Sequence, residues 1–402
     1  MDIREFEQAA ARLKNVIHYI PVSSSRTFSE MSGSELYLKY ENQQKTGSFK
    51  VRGAYNKVAS LVERGEKPAA VVASSAGNHA QGVAYGAASL GIKAAIVMPE
   101  STPIAKVKAT QGYGAEVILY GSCYDDAYQK AIEYANETNA VFIHPFNDID
   151  VICGQGTLGL EILRDVPGVD VIFVPAGGGG LLAGIAACVK MINPRVRIIG
   201  VQADGADAIV RSFERKELVT VPDIHTIADG IAVKSPGDLT VGLINKYVDK
   251  MVSVSDEDTA EAILLLMERA KQVVEPAGAV SLAAALGGKA DIRGKKTVCL
   301  LSGGNIDVSF IHRIVETGLI KHGRHVKINT IMLDKPGSLE KFAHIVAASG
   351  GNIIKTTHDR QSSTLRLDEA ILQVTCEVSD HDHGKRVIKA LKEGGFDSFI
   401  ED

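Results

Sequence analysis

The sequence has no tryptophan and only five cysteines in 402 residues. The cysteines are odd in number, and none forms a Cys-x-x-Cys pair, so neither a disulfide framework nor a zinc site is indicated. Uninterrupted apolar runs of about 18 residues are also missing, which argues against a membrane span. The charged, amphipathic start MDIREFEQAAARLK lacks the apolar core of a signal peptide. We therefore expect a cytoplasmic protein with reduced cysteines.

The charge balance is close to neutral. A formal net charge of −4 gives no large basic field, so a nucleic-acid partner is not expected. An apolar content of 45% and a charged content of 23% are those of an ordinary globular protein. The length predicts two or three domains.

Strands alternate with helices along most of the chain. Apolar runs such as Ala69–Ala73, Lys93–Met98, Val171–Pro175 and Thr297–Leu301 are separated by helical segments. This α/β alternation predicts a parallel sheet.

The character of the chain changes at the polar segment His322–His325. Beyond it the pattern predicts strand 326–333, helix 337–349, strands 352–358 and 365–378, helix 381–393 and strand 396–400. This βαββαβ order is the ferredoxin-like plan. We predict a boundary that divides the chain into 1–321 and 322–402.

The stretch Glu41–Tyr55, ENQQKTGSFKVRGAY, is polar in its first half and apolar in its second, as in a loop that enters a buried helix. Lys50 lies at that entry, where partial burial would disfavour its charged form. An uncharged lysine amine is what Schiff-base chemistry requires. The alternative is an ordinary surface lysine at a helix cap.

Open α/β sheets bind ligands just beyond the ends of their strands. Two clusters that follow apolar strands in this sequence have residues suited to binding an anion. Ser74–His79 combines hydroxyls, a glycine and a helix start, which favours a carboxylate or phosphate, although Ser75 could simply be an N-cap. The four glycines at 177–180 precede a helix and favour phosphate binding over a merely flexible turn. They form neither a P-loop nor a convincing dinucleotide fingerprint.

Two further candidates are a hydroxyl and a carboxylate. Ser302 ends a buried strand in the motif SGGN and could contact a ring nitrogen, although a glycine turn is the alternative. Glu275 precedes Pro276 at a helix start and could simply stabilise the first turn of that helix.

Together, the motifs SFKVRGA, SSAGNHAQG, GGGG and SGGN, in that order, resemble those of the fold-type II pyridoxal-phosphate enzymes. Within that group, roughly residues 5–320 are most similar to threonine/serine dehydratases. The resemblance implies two subdomains with open parallel sheets, the smaller one inserted at about 50–150.

The resemblance also implies roles for individual residues. Lys50 would form the Schiff base with pyridoxal 5'-phosphate and then shuttle the Cα proton. The other cofactor contacts would be Phe49 against the ring, Asn78 at the phenolic oxygen, Gly177, Gly178, Gly179, Gly180 and Leu181 around the phosphate, Ser302 at the pyridine nitrogen, and Glu275 near the ring. The substrate carboxylate would lie on the loop of Ser75, Ala76, Gly77, Asn78 and His79.

One position departs from the related serine racemases, which carry a serine where this chain has Ala76. Alanine cannot reprotonate the substrate, so we expect elimination to be preferred over racemisation. Threonine and serine differ by one methyl group, worth only about 1–3 kcal/mol, so we expect both to be accepted. Some relatives bind a cation near the segment that here contains Asp204 and Asp207, and we assign no metal.

The C-terminal segment resembles an ACT domain, in which Leu333–Leu339 (LDKPGSL) would form the first strand-loop-helix and Gly337 the tight turn. That resemblance implies an amino-acid or nucleotide effector at a domain interface and a homodimer or homotetramer. The alternative is a domain that only mediates oligomerisation.

Three classes of function remain to be compared. The favoured one is a threonine/serine lyase that is regulated through its C-terminal domain, with serine racemase or another β-eliminating enzyme as the alternative. A non-catalytic amino-acid sensor would have lost Lys50 or Ser302, and both are present. A nucleotide-binding oxidoreductase would need a GxGxxG fingerprint and a ribose-binding acid.

Overall fold

The structure is a computed structural model that describes residues 1–361 and 366–401. Packing of the backbone divides the chain into two compact units, Met1–Asp307 and Val308–Asp402. The second unit therefore begins earlier than the boundary predicted after residue 321. The reason is that the helix Val308–Lys321 contacts the strand His325–Leu333 of the same unit.

The first unit contains ten strands and twelve α-helices within the described residues. The strands are β1 (Ser23–Ser24), β2 (Glu35–Tyr40), β3 (Ala70–Ser74), β4 (Lys93–Met98), β5 (Glu116–Leu119), β6 (Val141–Phe142), β7 (Val171–Pro175), β8 (Arg197–Ala203), β9 (Lys250–Val254) and β10 (Lys296–Leu301). The helices are α1 (Ile3–Leu13), α2 (Arg26–Ser32), α3 (Lys50–Glu63), α4 (Asn78–Ser89), α5 (Ile104–Gly112), α6 (Tyr124–Thr138), α7 (Ile149–Asp165), α8 (Gly180–Ile192), α9 (Ala208–Arg215), α10 (Asp238–Tyr247), α11 (Asp256–Leu265) and α12 (Pro276–Leu286).

These strands form two sheets. The larger has the order β1-β2-β10-β7-β8-β9 and is parallel except for the short edge strand β1. The smaller has the order β5-β4-β3-β6 and is parallel throughout. The predicted α/β class with two open parallel sheets is therefore confirmed. Strand β7 is buried along its whole length, as expected for a central strand covered by helices on both faces.

Helix α7 packs closely against its neighbours because small residues line its contacts. A Cβ atom on Gly184 of α8 would lie 2.3 Å from the carbonyl oxygen of Ile152, and one on Gly154 would lie 2.6 Å from that of Arg52 in α3. Helix α3, which begins at Lys50, is thus held against α7, which itself packs against α8.

A buried charge network also fixes the start of α3. The guanidinium of Arg52 is inaccessible to solvent and donates to both carboxylate oxygens of Glu41, each at 2.8 Å. It also donates to the two carboxylate oxygens of Glu161 in α7, at 2.7 and 3.0 Å. Lys39 of β2 donates to Glu161 at 2.6 Å, so three elements meet at one cluster of charges.

The second unit comprises α13 (Val308–Lys321), β11 (His325–Leu333), α14 (Ser338–Ala348), β12 (Asn352–Asp359), β13 (Glu369–Glu377), α15 (His381–Glu393) and β14 (Asp397–Ile400). Its antiparallel sheet has the order β12-β13-β11-β14. The predicted ferredoxin-like βαββαβ order is therefore confirmed. Residue 365, the predicted start of the fourth segment, lies outside the described residues.

Over residues 1–361 and 366–401, we find no helix whose length and apolar character would allow it to cross a membrane.

Candidate active site

Lys50 is the first residue of α3 and is partly buried. Its Nζ donates to the carbonyl oxygen of Pro145 at 3.0 Å and lies 5.3 Å from the centroid of the Phe49 ring. Burial lowers the pKa of Lys50 to about 8, against a weaker opposing effect of the Glu275 carboxylate. About a tenth of this amine is therefore uncharged at pH 7, far more than for an ordinary lysine.

The main chain brings Lys50 to the end of β10. The N–H of Phe49 donates to the carbonyl oxygen of Ser302 at 3.1 Å, and Ser48 forms an isolated antiparallel bridge with Gly303. Ser302 itself is buried, and within the described residues its hydroxyl makes only a long contact of 3.4 Å with the carbonyl oxygen of Ala277. The hydroxyl is therefore available for a stronger hydrogen-bond partner.

Asn78, the first residue of α4, connects the smaller sheet to the same place. Its Nδ2 donates to Oε1 of Glu275 at 2.7 Å, and its Oδ1 accepts from Nδ2 of Asn305 at 2.7 Å. Nδ2 of Asn305 also donates to the carbonyl oxygen of Thr46 at 2.8 Å. Asn78 thus bridges the smaller subdomain and two loops of the larger one.

Glu275 occupies the N-cap position of α12, but its side chain makes no capping hydrogen bond among the described residues. The carboxyl turns instead to Asn78 and is buried. Burial raises the pKa of Glu275 to about 8, and repulsion from the Asp229 carboxylate adds to this shift. The main contact of the Glu275 side chain is therefore Asn78 and not the first turn of α12.

The glycines at 177–180 lead from the end of β7 into α8, whose first residue is Gly180, and no side chain among residues 1–361 and 366–401 caps that helix. Its first N–H groups point out of the helix unpaired, as at any helix start, and favour an anion. A Cβ on Gly178 would lie 2.3 Å from the ring of Phe146, so a side chain there would fill the cradle. Leu181 follows in the first turn of α8 and is buried.

The serine loop precedes α4. Ser75 Oγ accepts from the N–H of Gly77 at 3.2 Å, and Gly77 is the N-cap residue of α4. Ser75 is therefore not the N-cap of that helix. Ala76 and Gly77 are partly exposed, so their backbone can meet a ligand.

His79 lies beneath this loop rather than on it. It is buried, and its Nε2 makes a 2.8 Å hydrogen bond with the carbonyl oxygen of Ile143. Burial, together with repulsion from the Lys50 ammonium, lowers the pKa of His79 to about 3. The neutral imidazole therefore links α4 to the residue that follows β6 and carries no charge toward a substrate.

A continuous set of contacts links the predicted site residues. Lys50 contacts Pro145, and the adjacent Phe146 packs on the glycines at 178 and 180. The Phe49–Ser302 bond joins the same lysine segment to β10, and Glu275 N–H donates to the carbonyl oxygen of Gly303 at 3.0 Å. An amine, an anion cradle, a hydroxyl and an amide are therefore linked by one set of contacts.

Asn305 and the segment His144–Phe146 were not assigned roles from the sequence. Asn305 is the last residue of the motif SGGN, so its position after a parallel strand was the available signal. The segment likewise follows a strand, β6, and His144 Nδ1 accepts from the N–H groups of Phe146 and Asn147 at 3.2 and 2.8 Å. Burial, followed by repulsion from Lys50, lowers the pKa of His144 to about 4.

Asp204 and Asp207, the two aspartates near which some relatives bind a cation, are distant in sequence from the candidate active-site residues. Asp204 begins a short 3₁₀ turn, and Asp207 forms an ion pair with Arg211 at 2.8 Å. In the described part of the chain, no group of three or more His, Cys, Asp and Glu side chains could hold a metal ion.

Comparisons with known proteins agree on one family. Residues 13–303 match the family model of the pyridoxal-phosphate dependent enzymes. The chain is 48% identical over 395 residues to an L-threonine ammonia-lyase of Thermotoga maritima, and the match covers 98% of each chain.

Two solved structures are similar to the larger part of the chain. The processed form of threonine deaminase isoform 2 from Solanum lycopersicum is 36% identical, with a TM-score of 0.75, over 79% of this chain and 88% of that one. Maize serine racemase is 37% identical, with a TM-score of 0.74, over 80% of this chain and 98% of that one.

Proposed function

Because this chain belongs to the family of pyridoxal-phosphate-dependent enzymes, we propose that it is an L-threonine ammonia-lyase. It converts L-threonine to 2-oxobutyrate and ammonium, and it also deaminates L-serine to pyruvate. The observation that carries the proposal is the 48% identity to an L-threonine ammonia-lyase over nearly the full length of both chains.

The residues present fit pyridoxal phosphate. The glycines at 178 and 180 leave a cradle that a Cβ atom would fill, at a helix start with no side-chain cap among the described residues. The buried hydroxyl of Ser48, two residues before Lys50, has no hydrogen-bond partner within residues 1–361 and 366–401. The helix start would bind the anionic phosphate of such a ligand. A polar ligand would also give the buried Ser48 hydroxyl a hydrogen-bond partner.

We assign the cofactor contacts as follows. The N–H groups of the glycines 177–180 and of Leu181 would hold the phosphate at the positive end of the α8 dipole. Phe49 would pack against the ring, Ser302 would face the ring nitrogen, and Asn78 would donate to the phenolic oxygen. Bound in this way, pyridoxal phosphate supplies an electron sink for the negative charge that develops at the substrate Cα.

Lys50 is both the covalent attachment point and the base. Its pKa of about 8 makes a neutral amine accessible, and the hydrogen bond to the Pro145 carbonyl orients that amine. Once released, the amine removes the Cα proton of the substrate. The β-hydroxyl leaves as water, and hydrolysis then consumes one water and releases ammonium and the 2-oxo acid.

The Ser75–Gly77 turn holds the substrate carboxylate through its backbone N–H groups and the Ser75 hydroxyl. Ala76 provides no proton on the face opposite Lys50. A single base on one face favours elimination over racemisation. Serine racemase, the function of one structural relative, is therefore the alternative and not the proposal.

The test is direct. The purified enzyme with pyridoxal phosphate should release 2-oxobutyrate from L-threonine and pyruvate from L-serine. Hydride reduction followed by peptide mass spectrometry should find the cofactor on Lys50, and the Lys50→Ala variant should lose both the adduct and at least about 10²-fold of the activity. An adduct on another residue, or none, would refute the assignment of Lys50.

We further propose that residues 322–402 form an ACT-type regulatory domain that binds an amino-acid or nucleotide effector in a homodimer or homotetramer. Its ferredoxin-like order and the turn at Gly337, where φ is 85°, support this proposal. Threonine deamination measured with isoleucine, valine or AMP added in turn should change with at least one of them. Unchanged kinetics with all three would count against regulation by these ligands.

A further inference from the structure

The orientation of the Asn78 amide is determined by a neighbour outside the motif that contains it. Nδ2 of Asn305 lies 2.8 Å from the carbonyl oxygen of Thr46, and a main-chain carbonyl can only accept. The same Nδ2 lies 2.7 Å from the Asn78 side chain, so the atom of Asn78 at that contact is the oxygen. The NH2 group of Asn78 consequently faces Glu275, at 2.7 Å from its Oε1.

Glu275 could not determine this orientation alone. A carboxyl group accepts hydrogen bonds when ionised and can also donate one when protonated. Because burial raises the pKa of Glu275 to about 8, its protonated form is well populated near neutral pH. Such a partner tolerates either end of an amide, whereas the Thr46 carbonyl does not.

The anchor for Asn305 is a rigid turn. Thr46 has a φ of 65°, which a β-branched residue adopts only when its surroundings impose it. The next residue, Gly47, accepts the N–H of Gly304 through its carbonyl at 2.9 Å. A Cβ on Gly47 would lie 2.4 Å from Oδ1 of Asn305, so the glycine leaves the room that the amide occupies.

We propose that Asn305 is a positioning residue that holds the Asn78 NH2 group toward the cofactor. One N–H of that group serves Glu275, and the other is left for the phenolic oxygen of pyridoxal phosphate, which accepts. The inference rests on the proposed function, because it concerns the same cofactor. Asn305 acts through Asn78 and does not itself contact the reacting atoms.

Two substitutions separate orientation from packing. In Asn305→Asp the ionised side chain only accepts, so the Asn78 NH2 group turns toward position 305 and its oxygen turns toward the cofactor. In Asn305→Leu a neutral side chain of similar shape removes the partner and leaves both orientations open. Asn305 is exposed, so neither change disturbs the buried core.

Asn42 provides the matched control. Its Nδ2 likewise donates to a main-chain carbonyl, that of Val273 at 3.0 Å, and to an amide oxygen, that of Gln272 at 3.1 Å. The Asn42→Asp variant introduces the same negative charge in a loop near Gly304, without a hydrogen bond to Asn78. It therefore accounts for the effect of charge alone.

The measurement is the pH titration of the visible absorption band of the bound cofactor, together with its dissociation constant. A donor to the phenolic oxygen favours the ionised form. Loss of that donor should therefore raise the midpoint of the titration, more in Asn305→Asp than in Asn305→Leu, and leave Asn42→Asp like the wild type. We expect kcat for threonine to fall about tenfold in Asn305→Asp, the size of one hydrogen bond.

Three outcomes would overturn the proposal. The first is that both variants at 305 titrate as the wild type does while the wild type deaminates threonine; the proposed function would then stand alone. The second is that Asn42→Asp shifts the midpoint as far as Asn305→Asp, since charge would then explain the shift. The third is that the wild type binds no pyridoxal phosphate, which would refute the proposed function as well.

Discussion

Phe49 donates its main-chain N–H to the carbonyl oxygen of Ser302 at 3.1 Å, which joins the residue before Lys50 to the residue after β10. The adjacent bridge between Ser48 and Gly303 extends the pairing. The lysine and the hydroxyl proposed for the two ends of one cofactor ring are therefore held by backbone hydrogen bonds. Their relative placement does not depend on the identity of the side chain at position 49.

The charge network behind Lys50 leads to a stability prediction. In Arg52→Met, the buried carboxylates of Glu41 and Glu161 would lose their shared partner, which typically costs about 3–5 kcal/mol. We expect a lower free energy of unfolding by urea, and a weaker cofactor complex because α3 carries Lys50. The control is Arg26→Met, which removes a solvent-exposed ion pair with Glu30. Equal effects at the two positions would contradict the role given to burial.

The glycine cradle leads to a prediction about cofactor affinity. In Gly178→Ala, the new methyl group would collide with the Phe146 ring, and overpacking of this kind costs about 1–3 kcal/mol. Fluorescence titration should show weaker binding of pyridoxal phosphate, with little change in secondary structure. In Gly242→Ala, the methyl group meets no atom within 4 Å in the exposed middle of α10. That control should keep its affinity and gain about 0.5–1 kcal/mol of stability.

Much of the fold follows from the sequence because its signals are local. Buried runs such as Val171–Pro175 separated by helical segments leave little choice but a parallel sheet. The ferredoxin-like order near the C-terminus was likewise predictable from alternating apolar positions. The boundary between the units was not, since helix Val308–Lys321 belongs to its unit through a contact with β11, which local composition does not encode.

The site divides in the same way. Lys50 and the four glycines at 177–180 can be recognised by residue type alone, and the family resemblance assigns them to one cofactor site. Asn305 ends the motif SGGN, but the sequence gives it no role, because its function depends on the Thr46 carbonyl, far away in sequence. His79 was expected on the substrate loop, yet the structure turns its ring inward to the carbonyl oxygen of Ile143. Sequence spacing places a residue on a loop but does not give the direction of its side chain.

Glu275 leads to a pH prediction for the apoprotein. Burial raises its pKa from 4.5 to about 8, so between these values the folded state keeps a proton that the unfolded state has lost. Stability from this group is full below about pH 4.5 and is lost as the pH rises to about 8. In Glu275→Gln the side chain stays neutral, so the decline in Tm over this range should be shallower. Parallel Tm curves for the two proteins would contradict the raised pKa.

Ala76 leads to a prediction about reaction outcome. In Ala76→Ser, a hydroxyl is placed next to Ser75 and one residue before Gly77, on the turn assigned to the substrate carboxylate. A proton donor there could return a proton to Cα from the face opposite Lys50, so D-serine should form from L-serine while pyruvate release slows. Chiral chromatography of the reaction mixture measures both products.

The control for this change is Ala76→Gly, which alters the same turn without adding a proton donor. It should form no more D-serine than the wild type does. If Ala76→Ser also formed none while still deaminating serine, the serine hydroxyl at this position would not be sufficient for racemisation, and the preference for elimination would have to arise elsewhere. The remaining source would then be the neutral hydroxyl of Ser302 at the ring nitrogen, because a weaker electron sink shortens the time in which Cα could be reprotonated.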